Sequence, residues 1–262
     1  PPGIAELSSP TNPVWRGGAP PAANGVVVVG SPTGCDEFVA QHGVRRLREE
    51  EPLLEQLGDL PSTQVAWLLL YFCAAPRANH LLRTVPPQQV LPYAAAHDHR
   101  VLVEFRRLLG LSQAQHDITL HGLAEDVWAR QARLPIRMGG CGLRDSVRTA
   151  PAAYWASWAN CLRALQERFP LLGNVLLGAL TAAEVDGPAA PGVTPGIVAA
   201  ARAGQALQAQ GVAQRPSWQM LCQGALPPGV DAPDRVPGEW QKGWQHLASS
   251  VCEQHEYESM LR

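Results

Sequence analysis

Between Asp36 and Phe169 apolar residues recur at helical spacing in segment after segment, a rhythm that only a mainly α fold can bury. Asp36 opens a predicted helix whose apolar positions are Phe38, Val39, Val44, Leu47, Leu54 and Leu57, with a break at Pro52. Pro61-Ser62 caps the next, because a serine hydroxyl accepts from the free amides of a first turn. Its body, Val65 to Ala75, is apolar nearly all round, as in a core helix, and Pro76 interrupts it. The chain continues through Arg77 to Arg83 and stops at Pro86-Pro87. A further helix is predicted from about Tyr93 to Leu109, where Val101, Leu102, Phe105, Leu108 and Leu109 share a face and Gly110 ends it. Another spans roughly Leu120 to Ala132. Pro151 suits the first turn of a helix carrying Trp155, Trp158, Leu162, Leu165 and Phe169.

The remainder reads differently. Asn24-Gly25 is a turn pair, and Val26 to Val29, closed by Gly30, is a short strand. Ala, Gly and Pro dominate the later chain, where helices over about 195–210 and 216–224 are marginal. The expected organisation is a flexible segment over 1–23, a strand and helical domain over 24–170, a low-complexity linker over 171–237, and a C-terminal helix over 238–262. Trp240, Trp244, Leu247 and Val251 make the stripe of that last helix.

A chain of 262 residues with 46% hydrophobic content can build a sizeable core. Its net charge of -2 gives no global basic field, yet Lys242 is the single lysine among 21 Lys and Arg residues. Arginine is the forked donor suited to phosphate and carboxylate. Such an excess also arises from codon composition alone. Six scattered cysteines without a CxxC read as small buried hydrophobes in a reducing compartment. No apolar run approaches the roughly 20 residues that cross a bilayer. The first residue is Pro1, as in a fragment or processed piece, and no targeting peptide is visible. These features point to an intracellular protein, nuclear or cytoplasmic, without a membrane partner.

Catalytic motifs are missing. Gly139, Gly140 and Gly142 crowd one turn, but a phosphate loop needs GxxxxGK[ST] and a dinucleotide fold needs GxGxxG after a strand. They read as a structural turn that binds no phosphate. His97-Asp98-His99 lacks the HExxH spacing of a zinc site and is expected to face solvent or cap a helix. No catalytic residue, metal ligand or cofactor is assigned. Arg77, His80 and Arg83 repeat every third residue, so a helix carries them along one ridge able to follow a phosphate backbone. A solvated helix face has the same spacing.

The run Val26-Val27-Val28-Val29-Gly30-Ser31-Pro32-Thr33-Gly34, followed by Asp36-Glu37-Phe38-Val39, resembles the end of the palm and entry to the thumb in reverse-transcriptase reading frames of non-LTR retroelements. The likeness continues through Ala66 to Arg83 and is strongest at Ala132 to Arg144 and Ala150 to Ala159. Gly238 to His246 resembles the post-thumb region. Two departures stand out: Val29 replaces the usual leucine before Gly30, and Ser31 stands where a branched apolar residue is common.

The resemblance implies a primer-grip strand at Val29 and Gly30, a thumb-like helical bundle and a connector. It also implies RNA or an RNA–DNA duplex as partner, and the palm and fingers of a parent polymerase as another. Arg77, His80 and Arg83, with Arg45, Arg46 and Arg48, become phosphate-contact candidates. The polymerase aspartates that hold two metal ions are absent, as is the family's Cys/His cluster, so no catalysis is expected of this chain. Two further readings stand beside that one: a helical protein-interaction module, and the translation of a decayed element without function.

Overall fold

Two short antiparallel strands, β1 (Gly25–Val28) and β2 (Ser31–Gly34), pair Gly25 with Gly34 and Val28 with Ser31. The reversal therefore falls on Val29-Gly30, not on Asn24-Gly25, which lies at the open end. Both loop residues have positive φ, 50° and 80°, as a type I′ turn requires. A β-branched residue is strained there, and Val29 is 89% exposed, so little packing offsets the strain.

The computed structural model describes residues 20–110, 125–189, 193–212, 215–228 and 243–262. It is mainly α. After the hairpin come α1 (Asp36–Leu57), α2 (Thr63–Leu69), α3 (Asn79–Thr84), α4 (Pro87–Leu108) and α5 (Glu125–Ala132). Then follow α6 (Ser146–Arg168), α7 (Pro170–Val185), α8 (Pro195–Ala209), α9 (Trp218–Cys222) and α10 (Trp244–Met260). The expected flexible segment and the residues before Glu125, like the Gly/Pro-rich stretch that ends at Lys242, lie wholly or largely outside the described residues.

Local signals explain many boundaries. Ser62 Oγ accepts from the Val65 amide at 3.4 Å to start α2. Gly110, at φ 73°, follows the end of α4. The expected break at Pro52 does not occur: α1 runs through it. Leu47 on one side of the proline and Leu54 and Leu57 on the other are all buried, so packing holds the helix across the missing amide. The helix before Pro86-Pro87 ends at Thr84, as expected, and Pro87 then starts α4; Pro151 sits in the second turn of α6, not its first. The apolar body after Ser62 passes from α2 into a π turn (Leu70–Ala74) and a 3₁₀ turn (Ala75–Ala78). Only one side of it is buried, at Ala66, Leu70, Ala74 and Ala75, while Val65, Leu68 and Phe72 stay exposed.

The core falls into three clusters, two of which share α6. One packs Val39, Leu47, Leu81, Leu82, Val90 and Tyr93 against Ala150 and Ala153. A second packs Leu54, Leu57, Leu70, Val101, Leu102 and Phe105 against Ala132 and Leu143. The largest is built from α6 to α10 around Trp155, whose ring lies 5.7 Å from Trp244 and 6.4 Å from Trp218. That cluster corrects the linker expectation. Much of 171–237 is not loose: α7, α8 and α9 bury Ala179, Leu180, Ala183, Ile197, Ala200, Leu207 and Leu221. Alanine and glycine there permit close helix approach, and sparse charge accompanies burial. Among the cysteines Cys222 and Cys252 are buried, and burial pushes the Cys252 thiol up to about 11, but Cys73 is exposed.

Candidate nucleic-acid interface

The hairpin tip meets a histidine from each of the two helices that carry the expected arginine groups. His80, on α3, places its Nε2 3.1 Å from Ser31 Oγ, and a Cβ on Gly30 would come 3.3 Å from the same nitrogen. On the other side buried His42, from α1, faces the Gly30 backbone and accepts on Nδ1 from Arg45 at 2.8 Å. Burial, then the Arg45 and Arg46 charges, hold the His42 pKa below its ordinary value, so neutral imidazole is the acceptor Arg45 requires. Gly30 therefore joins α1 to α3, which sequence spacing left unrelated.

Around this tip the arginines divide. Arg77 lies in the 3₁₀ turn before α3, where three residues make a turn, so it lines up with His80 and Arg83. Arg77 and His80 are exposed and Arg83 is half-buried. Neither Arg77 nor Arg83 forms a hydrogen bond or ion pair with a described residue. Arg48, exposed on the same side of α1 as Arg45 by three-residue spacing, has no such partner either. Arg46 differs: its guanidinium donates to Glu49 at 2.6 Å, which takes it out of the candidate set as a free donor. Elsewhere arginines meet carboxylates, as Arg107 does with Asp59 at 2.9 Å, Arg137 with Glu253 at 3.0 Å and Arg215 with Glu184 at 2.6 Å.

The glycine turn closes on itself. Gly140, Cys141, Gly142 and Leu143 donate their amides to the carbonyls of Pro135, Ala132, Leu134 and Ala132. None of those four amides points outward for an anion. Gly139 and Gly142 have φ of 77° and 72°, and a Cβ on Gly140 would collide with the Leu134 carbonyl. The residue types are needed for backbone shape.

His97-Asp98-His99 is only partly as expected. His99 is exposed, but His97 is 2% exposed, with Nδ1 2.8 Å from Glu50 Oε2 and Nε2 3.2 Å from the Ala75 carbonyl. Asp98 caps a helix across the fold: its Oδ2 accepts from the Ser146 and Val147 amides at 2.8 and 3.2 Å. Burial pushes its pKa up to about 6 despite those donors. Among the described residues no group of three or more His, Cys, Asp or Glu is placed to hold a metal ion, and no helix is long and apolar enough to cross a membrane.

No family model, curated protein or solved structure matches this chain. Geometry alone carries the functional reading. What spacing could not reveal is a concave surface beside the glycine turn, where Arg133, Arg137 and Arg144 meet Arg148 and the first turns of α10. α10 is distant from that turn in sequence, and only the tertiary fold unites them.

Proposed function

We propose that this chain binds the phosphate backbone of an RNA or RNA–DNA duplex through the face around the hairpin tip, as the likeness to a polymerase thumb implies, and that it performs no polymerisation itself. The carrying observation is the contrast in arginine pairing. Arg45 and Arg48 on α1, and Arg77 and Arg83 on or just before α3, lie on the two segments whose His42 and His80 meet the hairpin tip, and none has a carboxylate partner among the described residues, whereas Arg107, Arg137 and Arg215 each have one. Arginines without a carboxylate partner are free to take a counter-charge, and a phosphate backbone supplies one. Helical backbone holds each guanidinium on a fixed element, suited to positioning a duplex without reading its bases. The chain holds no Tyr-x-Asp-Asp turn, so the two-metal chemistry of a polymerase has no ligands here.

The test is a fluorescence-anisotropy titration of a labelled RNA–DNA hybrid with wild type, Arg77→Ala/Arg83→Ala, and Arg163→Ala/Arg202→Ala as a charge-matched control. The reading expects the first variant to bind at least about tenfold more weakly and the control to match wild type. Equal weakening by both pairs reduces the effect to net charge and sinks the site.

A second reading, a protein-interaction module, is favoured by one feature. Leu171, Val175 and Val185 lie along the outer side of α7 at 86%, 67% and 77% exposure. Duplex binding that is absent altogether, with binding to a protein partner abolished by Val175→Glu, is the outcome that selects it.

A further inference from the structure

We propose that the groove between α3, the 133–145 turn, the start of α6 and α10 is a separate binding site for a terminal phosphate or pyrophosphate group. The site uses none of the hairpin-tip arginines and does not rest on the backbone-binding reading.

The groove encloses about 760 Å³, within the size of small-ligand sites. Arg133, Arg137, Arg144 and Arg148 line it against two carboxylates, Asp145 and Glu253. The carboxylates do not satisfy the arginines. Arg137 alone is engaged, donating to Glu253 at 3.0 Å. Asp145 Oδ1 is occupied by the Arg148 amide at 2.7 Å, where it caps α6. Its Oδ2 lies 3.8 Å from Arg133 and 3.6 Å from Arg148, outside hydrogen-bond length. Arg148 also comes only to 3.8 Å from Glu256, and its Nε is buried with no hydrogen-bond partner among the described residues. Arg144 reaches one amide oxygen, of Asn79, at 3.5 Å. Three guanidinium groups, each with five donors, thus share two distant carboxylate oxygens, one each from Asp145 and Glu256, and one amide oxygen.

The chemistry of the missing acceptor follows. A single carboxylate offers two oxygens in one plane and would satisfy one guanidinium fork. A terminal phosphate offers three oxygens and up to two charges, enough for several forks at once. Ser249 and Ser250, on α10, also line the groove with hydroxyls that can donate. The glycine-turn amides are spent internally, so side chains and not a phosphate loop would do the binding.

A free nucleotide and the 5′ end of a strand both carry such a group. The experiment is isothermal titration of the full chain with pyrophosphate, a nucleoside triphosphate, and matched oligonucleotides bearing a 5′-phosphate or a 5′-hydroxyl. Wild type, Arg144→Ala and Arg163→Ala are compared, with melting temperature as a folding check. Arg144 is exposed and touches only Asn79 by hydrogen bond, so its removal leaves the core intact. The expected result is saturable pyrophosphate binding, weakened at least about tenfold by Arg144→Ala and unchanged by Arg163→Ala. Tighter binding of the triphosphate assigns the free nucleotide. Tighter binding of the 5′-phosphorylated strand than of its hydroxyl twin assigns the strand end. No binding of either small anion at millimolar concentration, or equal binding by Arg144→Ala, overturns the site. So do oligonucleotides whose affinity ignores the 5′-phosphate and falls only in Arg77→Ala/Arg83→Ala, a result that would leave the hairpin-tip face standing.

Discussion

Replacing Glu50 with alanine isolates a buried network that ties α1 to α4. Glu50, 2% exposed, accepts from Tyr93 Oη at 2.7 Å and bonds His97 Nδ1 at 2.8 Å, while His97 Nε2 lies 3.2 Å from the Ala75 carbonyl. Two acceptors facing both ring nitrogens are matched by imidazolium. Burial by itself lowers the His97 pKa, but the hydrogen bond and charge of Glu50 outweigh it and raise the value above the ordinary 6.5. Burial likewise raises that of Glu50, and the His97 and Tyr93 hydrogen bonds outweigh it and bring it below 4.5. Removing the carboxylate strands two buried donors, one of them charged, and breaking a buried pair from one side costs roughly 3–5 kcal/mol. Urea denaturation monitored by circular dichroism measures this. The pH dependence carries the finer test. The raised His97 contributes stability that is complete below pH 6.5 and is lost as pH rises through its folded value. The depressed Glu50 contributes stability that is complete above pH 4.5 and is lost as pH falls through its folded value. The stability difference between wild type and Glu50→Ala is therefore greatest between 4.5 and 6.5 and shrinks on both sides. A loss below about 1 kcal/mol, or a difference flat with pH, refutes the charged network.

Other substitutions separate local causes. Gly140→Ala should destabilise by more than about 2 kcal/mol because its methyl meets the Leu134 carbonyl, whereas Gly139→Ala, with open space around it, should cost only about 1 kcal/mol of backbone strain; thermal melts compare them. Val29→Asn should stabilise the fold by about 0.5–1 kcal/mol, since asparagine accepts the positive φ that valine resists, and so raise the melting temperature. Asp98→Ala removes the acceptor of the Ser146 and Val147 amides and should cost about 1–2 kcal/mol, read by denaturation at pH 7.

Periodicity and caps were legible where the signal is local. Ser62 and Gly110 sit at the helix ends their chemistry prescribes, and the face of Val101, Leu102 and Phe105 is buried. Prolines misled. Pro52 and Pro151 remove amides inside helices whose buried faces continue past them, so tertiary packing overrides the local cost. Low complexity misled too: α7 read as linker and α8, though expected as a helix, as a marginal one, yet small side chains are what let those helices close on Trp155. Nothing in the spacing of His97 announces Glu50, 47 residues earlier. The same limit applies to the candidate sites. Three-residue spacing selected Arg77, His80 and Arg83, but only the fold sets His80 and the α1 residue His42 on Gly30 and Ser31, and only the fold leaves Arg46 paired.

The most direct test of backbone binding is the salt dependence of duplex affinity. Wild type and Arg77→Ala/Arg83→Ala are titrated with one labelled RNA–DNA hybrid at several salt concentrations, and log affinity is plotted against log salt. Each phosphate contact contributes a slope of about -0.9 on a B-form duplex, with a similar order here, so losing two should flatten the line by about 1.8. Affinity should also be blind to the sequence of the duplex. Parallel lines of equal height for the two proteins would contradict the account and leave Arg77 and Arg83 as a solvated face.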